Sequence, residues 1–153
     1  MSRVRSATAR LIYDSRGRPT VEVRLETDSG AVGIAGAPSG ASTGTHEVAA
    51  FPEGGVPAAL KTFGQIVAPG LIGADVGDQA ELDGRLHALD GTPNFARIGG
   101  NTATASSIAG ARANAAETGR ELWEVLRRPG VTGHAFPAIV GNCLNGGRHA
   151  IGG

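Results

Sequence analysis

The first part of the chain alternates hydrophobic and polar residues, and much of the remainder follows a helical period. In residues 20–27, valine and leucine alternate with glutamate and arginine, which is typical of a half-buried strand. Strands are also predicted at residues 4–13 and 31–37, with turns at 14–19 and 28–30 between the three. Because these connections are short, we expect a three-stranded antiparallel meander.

Two helices are predicted after the meander. The first begins around Pro57, which suits an opening helical turn, and ends at the Pro-Gly pair of residues 69–70. The second begins at Asp78, whose carboxylate can cap it. Glu81, three residues further on, strengthens that start.

A third and a fourth helix follow. The third is rich in alanine, runs over residues 102–118 and can be capped by Asn101. Its small side chains would let it sit close to its neighbours. The fourth covers residues 121–128, where Trp123 and Leu126 are expected to supply the apolar contacts. The sequence therefore predicts a three-stranded meander followed by about four helices.

An apolar run at residues 138–144 has a different character. It is typical of a strand that is covered on both faces. Such a strand needs neighbours, and no parallel sheet is predicted before it. We therefore expect the chain to be truncated or to be completed by another chain.

Composition narrows the functional classes. The 14 Lys and Arg residues balance 14 Asp and Glu, which argues against a protein dedicated to nucleic acid or to a membrane surface. Aromatic residues make up only 4% of the chain and 25 residues are glycine, so the core must be thin. A single cysteine cannot form an internal disulfide and no signal peptide is recognisable, so we expect a cytoplasmic protein.

Candidate chemistry is concentrated in residues 38–47, Pro-Ser-Gly-Ala-Ser-Thr-Gly-Thr-His-Glu. Glycines at positions 40 and 44 permit backbone angles that other residues avoid. Ser39, Ser42 and Thr43 offer oxygens to a cation or a polar ligand. A glycine-hinged, oxygen-rich loop between a strand and a helix is typical of an active-site lid. Because clusters of this composition are more often ordinary surface loops, composition alone favours a surface connection over a lid.

Five sequence motifs, spread along nearly the whole chain, are informative when they are taken together. They are Tyr-Asp-Ser-Arg-Gly at residues 13–17, the 38–47 loop, the segments 66–73 and 89–92, and Leu-Asn-Gly-Gly at 144–147. Together they resemble the opening hairpin, the first catalytic loop, the helices and the second active-site loop of the enolase family.

This resemblance implies an α+β N-terminal domain, residues 1–135, packed on a β/α barrel of which residues 136–153 form only the start. It implies a phosphopyruvate hydratase-like lyase that dehydrates 2-phosphoglycerate to phosphoenolpyruvate with Mg²⁺. A full barrel takes roughly 250 residues, so the catalytic lysine, the glutamates and the magnesium carboxylates would lie elsewhere. We therefore expect no activity from this chain alone. The implied partners are a phosphorylated or phosphonate carboxylate substrate, and a barrel-bearing chain or a family-type dimer.

Five residues carry the family's roles by resemblance. Ser42 matches the lid serine that reaches the second magnesium, and Gly40 and Ala41 match lid positions that close over the substrate. His149 matches a catalytic histidine beside the substrate phosphate, although a loop histidine is as often a solvated side chain. Arg16 matches a position at the family's dimer contact.

The chain also departs from the family pattern. Arg18 stands where the family commonly has Asn, Arg148 stands where it commonly has Ser, and the stretch after the loop, residues 51–55, is shorter. These differences leave two alternatives open. One is an enolase-like enzyme acting on a related phosphonate, such as a carboxyphosphonoenolpyruvate synthase. The other is a non-catalytic interaction module that docks on another protein.

Overall fold

An antiparallel sheet opens the chain, as the alternating pattern predicts. The structure is a computed structural model that describes residues 2–38, 40, 44–127, 130, 133, 137–141 and 143. The strands are β1 (Val4–Tyr13), β2 (Pro19–Thr27) and β3 (Val32–Gly36). Strand β2 lies between the other two and pairs antiparallel with both, which confirms the meander.

Four helical stretches follow in the described part of the chain. They are α1 (Gly55–Thr62) continued by a π-helical turn (Phe63–Val67) and α2 (Ala68–Leu71), then α3 (Gln79–Asp90), α4 (Gly100–Thr118) and α5 (Leu122–Val125). Together with the sheet they give the expected α+β fold. Within the described residues, no helix is both long enough and apolar enough to cross a membrane.

The first helical stretch ends later than the sequence predicts. It passes through Pro69 and ends at Leu71, whereas a proline-glycine pair was expected to stop it. The π-helical turn directly before α2 is wider than an α-helical turn. Proline normally breaks a helix because it lacks an N–H and because its ring clashes with the carbonyl of the preceding turn. A wider π-helical turn leaves more room for that ring.

One face of the sheet is buried and the other is open. On β2, Val21, Val23 and Leu25 are buried, while the glutamate and arginine side chains between them are half exposed, as predicted. The open face carries ion pairs such as Arg10 to Glu22, 2.5 Å apart. The buried face meets the helices in a core whose largest fully buried side chains include Leu25, Leu71, Leu82, Ile98, Val4, Val23 and Val67.

Helix α4 approaches strand β3 so closely at Gly33 that no side chain lies between them there. A Cβ on Gly33 of β3 would stand 1.9 Å from the carbonyl oxygen of Ala109 and 2.4 Å from the amide nitrogen of Ala113. Both alanines are fully buried. The backbones of helix and strand are therefore in direct contact, which is the close packing that the alanine-rich pattern predicts.

The ends of the last two helices differ from the prediction. Helix α4 begins at Gly100, so Asn101 lies inside its first turn and does not cap it. Helix α5 begins at Leu122 because Glu121 caps it in a capping box with Glu124, and it ends at Val125, earlier than predicted. Trp123 and Leu126, which were predicted to supply the apolar contact of this helix, are 53% and 56% exposed, so any such contact covers only about half of each residue.

The predicted strand at residues 138–144 does not form in the described part of that segment. Residues 137–141 are irregular, and the side chains of Ile139 and Val140 are 100% and 93% exposed. A strand buried on both faces requires neighbouring strands, and the three-stranded sheet makes no pair with this segment. Most of residues 136–153 lies outside the described residues.

The contact at Gly33 gives a stability prediction. Replacing Gly33 by Ala should lower the free energy of unfolding by about 3 kcal/mol, because the new methyl group meets backbone atoms that cannot turn away. Gly84 of α3 is exposed and has no atom near its Cβ direction. Gly84→Ala should therefore raise that energy by about 0.8 kcal/mol. Urea unfolding followed by circular dichroism measures both, and equal stabilities for the two variants would contradict the packing argument.

Candidate functional site

The structure describes two of the five predicted site residues. Gly40 lies at the start of the 38–47 loop and Arg16 in the turn between β1 and β2. Ala41, Ser42 and His149 lie outside the described residues, so their predicted roles stay predictions. The structure does describe both ends of the loop, and those ends define the candidate site.

The residue directly before the loop has a backbone carbonyl that accepts two hydrogen bonds. The carbonyl oxygen of Ala37 accepts hydrogen bonds from the Thr20 hydroxyl at 2.5 Å and from Nδ2 of Asn101 at 2.8 Å. Thr20 is 1% exposed. Buried hydrogen bonds of this kind are costly to break, because the carbonyl would be left without a partner away from water. The residue that precedes the loop is therefore firmly placed.

Directly after the loop, two further backbone carbonyls face the start of α4. The oxygens of Ala49 and Ala50 accept the N–H groups of Gly100 and Asn101, at 2.7 Å and 3.0 Å. The first N–H groups of a helix have no partner within the helix, so the segment after the loop satisfies them. A Cβ on Gly100 would lie 2.5 Å from the Val48 side chain, so any other residue here would force one of the two to shift.

A third attachment holds Gly40, just inside the loop. Nη1 of Arg18 donates to the Gly40 carbonyl oxygen at 3.1 Å. Nε of Arg18 also donates to Asp14 at 3.1 Å. The Arg18 backbone N–H lowers the pKa of Asp14 against the opposing effect of burial, and the Arg16 N–H and the Arg18 side chain lower it further. Asp14 thus stays ionised and orients Arg18 toward the loop.

Arg16 takes a different position in the same turn. Its backbone N–H donates to Asp14 at 2.8 Å, and the residue is exposed. The predicted role at a dimer contact stays a prediction. His46 and Glu47, at the end of the loop, are exposed.

A buried carboxylate supports the exit of the loop. Asp90, 1% exposed, ends α3 and accepts hydrogen bonds from the hydroxyl and N–H of Thr92 and from the N–H groups of Arg97 and Ile98. It thereby shapes the segment that leads to α4, in which the Asn94 carbonyl accepts the Ala49 N–H at 2.9 Å. Burial alone would raise the pKa of Asp90, but these hydrogen bonds together lower it.

A separate groove of about 280 Å³ lies between α3 and α4. Val48, Leu86, Phe95 and Ile108 contribute apolar surface to it. None of the described site residues predicted from sequence lines this groove.

No metal centre is complete in the described residues. Among them, no group of three or more His, Cys, Asp or Glu side chains could hold a metal ion. Ser42, the residue predicted to reach magnesium, lies outside that part of the chain.

The sequence profile of the enolase N-terminal domain matches residues 4–126. The chain belongs to the enolase family. It is 42% identical to the enolase of Pyrobaculum aerophilum over 97% of the chain, and 44% identical to that of Natranaerobius thermophilus over 98%. Each match covers 36% of the relative, so this enolase-family chain spans about a third of the length of those relatives.

Three residues that hold the enolase loop were not assigned these contacts from sequence. The sequence predicts Thr20 only as the start of a strand and Asn101 only as a helix cap. Arg18 differs from the residue common in the family, but the sequence indicates no partner for it. A buried hydroxyl at a strand start and an amide at a helix start are local signals for polar anchors. Their shared partner, Ala37, follows only from the tertiary fold.

The hydrogen bonds of Asp90 give a pH-dependent prediction. Near neutral pH, Asp90→Asn should lower the free energy of unfolding by about 1–3 kcal/mol, because an amide cannot accept all four hydrogen bonds. The pKa in the folded state lies below the ordinary 3.8, so the contribution is present above 3.8 and is lost as the pH falls below it. The difference between wild type and variant should therefore shrink in acid.

Urea unfolding over a pH series measures this difference. Asp83→Asn on the same helix is the matched control, since Asp83 accepts one side-chain hydrogen bond from Gln79. It should cost less than about 1 kcal/mol at neutral pH. An Asp90→Asn deficit that persists unchanged in acid would show that its carboxylate is not the group responsible.

Proposed function

We propose that this chain is the N-terminal part or subunit of an enolase that dehydrates 2-phosphoglycerate to phosphoenolpyruvate with Mg²⁺. The observation that carries the proposal is family membership over residues 4–126, together with relatives named enolase that match nearly the whole chain. Since those relatives are matched over only 36% of their length, most of the active site would come from the remainder of the protein.

In this proposal the 38–47 loop is the active-site lid. Gly40 and Ala41 would close over the substrate, Ser42 would reach a magnesium ion, and His149 would stand beside the phosphate. The described geometry supports this role because both ends of the loop are held by hydrogen bonds to β2 and α4. A lid needs ends of this kind, since the closing segment must return to one position in each turnover.

The chemical step would be carried by groups outside this chain. A barrel lysine would remove the proton next to the carboxylate, and a barrel glutamate would assist loss of the hydroxyl. The magnesium ions would offset the negative charge that builds on the carboxylate oxygens. This chain's part is to exclude water and to orient the substrate through the lid.

The same proposal extends to the localisation, assembly and partners of the protein. We expect a cytoplasmic enzyme that assembles with a barrel-bearing chain or as a family-type dimer through the turn at Arg16. Balanced charge supports the expectation that neither nucleic acid nor membrane is a partner.

A chimeric enzyme tests the proposal. This chain would replace the matching 36% of the Natranaerobius thermophilus enolase, and Mg²⁺-dependent formation of phosphoenolpyruvate would be followed by absorbance. We expect turnover by the chimera and none by the 153-residue chain alone. Ser42→Ala should lower kcat about 100-fold, as loss of one group that acts at the reaction centre does.

The control is Ser15→Ala in the exposed β1–β2 turn, which should leave kcat unchanged. A folded chimera without activity, or one that is indifferent to Ser42→Ala, would overturn the proposed role. Preferential turnover of a phosphonate analogue would change the proposed substrate but leave the proposed role of the loop as a lid unaffected.

A further inference from the structure

We infer that Asn101 is a positioning residue that holds the two ends of the 38–47 loop against each other. The loop is entered after Ala37 and left before Ala50, and Asn101 bonds to both. Its side chain donates to the carbonyl oxygen of Ala37 at 2.8 Å, and its backbone N–H donates to that of Ala50 at 3.0 Å. One residue thus closes the base of the loop.

Chemistry explains why this residue is an asparagine. Its Nδ2 carries two N–H donors. Nδ2 donates to the Thr20 hydroxyl oxygen at 3.3 Å as well as to the Ala37 carbonyl, and the Thr20 hydroxyl itself donates to that same carbonyl. An aspartate of the same shape has no donor and would set a charged oxygen against the carbonyl oxygen. An alanine would leave that carbonyl with the threonine alone.

The position of Asn101 makes the connection rigid. It lies in the first turn of α4, whose backbone touches β3 at Gly33. A displacement of the loop entry relative to its exit must therefore break the Asn101 contacts or move the helix on the sheet. Neighbouring Thr102 is 1% exposed, so this helix end is itself buried.

The role goes beyond the lid assignment, and its catalytic consequence rests on the proposed function. If the loop closes over the substrate, the spacing of its ends determines where its middle arrives. Loss of the Asn101 side-chain contact should then affect both substrate binding and turnover, as changes at the hinge of a lid often do.

Hydrogen exchange tests the anchoring without reference to activity. In the full 153-residue chain, Asn101→Asp should make amides of a peptide spanning residues 36–50 exchange about tenfold faster. Peptides from β1 and α3 should change by less than about twofold. Thr20→Val removes the other donor to the same carbonyl and should accelerate exchange in the same peptide. If Asn101→Asp does not fold, Asn101→Ala and Thr20→Val carry the test.

Asn114→Asp is the matched control, because it makes the same change on the same helix near its other end. It should leave exchange at residues 36–50 unchanged. Unchanged exchange in the Asn101 variants, or acceleration spread evenly over the whole domain, would overturn the inference.

Kinetics of the chimera separate the inference from the proposed function. Asn101→Asp should lower kcat and raise KM for 2-phosphoglycerate, each about fivefold. A purely structural defect would reduce the amount of active enzyme and leave KM as it was. Faster loop exchange with unchanged kcat and KM would support Asn101 as an anchor of the loop and would contradict the role of the loop as a lid. An inactive chimera would count against the proposed function, while exchange still decides the role of Asn101.

Discussion

The contact between the backbones of α4 and β3 is the constraint on which the rest of the structure depends. With Gly33 facing Ala109 and Ala113, the helix lies at backbone contact distance from the strand, and no larger residue fits between them. Large side chains between two layers usually leave some freedom to repack. Here the layers touch through main-chain atoms, so the position of the helix relative to the strands is set more narrowly.

That constraint is transmitted to the candidate site through the first turn of α4. The N–H groups that a helix leaves unpaired at its start point toward Ala49 and Ala50, and they bond to the carbonyls there. The same groups would otherwise form a ready anion site, but the chain after the loop already satisfies them. The start of α4 therefore serves as an anchor for the loop exit.

Much of the fold could be predicted because local patterns decide it. Alternation along β2 predicted the buried Val21, Val23 and Leu25, and Asp78 predicted the start of α3, whose Glu81 N–H it accepts. The errors occurred where tertiary contacts outweigh local preference. Pro69 was accommodated by the π-helical turn before it. The side chain of Asn101 does not cap α4 but donates to the carbonyl of Ala37, 64 residues earlier in the chain.

The site was less predictable than the fold for a related reason. The composition of the 38–47 loop suggested a lid, and the resemblance named its residues, but neither could show what holds the loop. Its anchors are mostly main-chain carbonyls, which every residue carries. A sequence pattern therefore contains no sign of which carbonyls will be bonded, and only the packing of α4 on the sheet brings Asn101 to Ala37.

Arg18 shows how a change of sequence can act on such a loop without touching its base. By bonding to Gly40 it moves the first fixed point inward, so the span before Ala49 shortens from eleven residues to eight. The closure entropy of a flexible chain changes by only about 0.3 kcal/mol for that difference. The length of the free segment is therefore a minor effect. The larger consequence is directional, since the bond turns the Gly40 carbonyl toward the β1–β2 turn that carries Arg18.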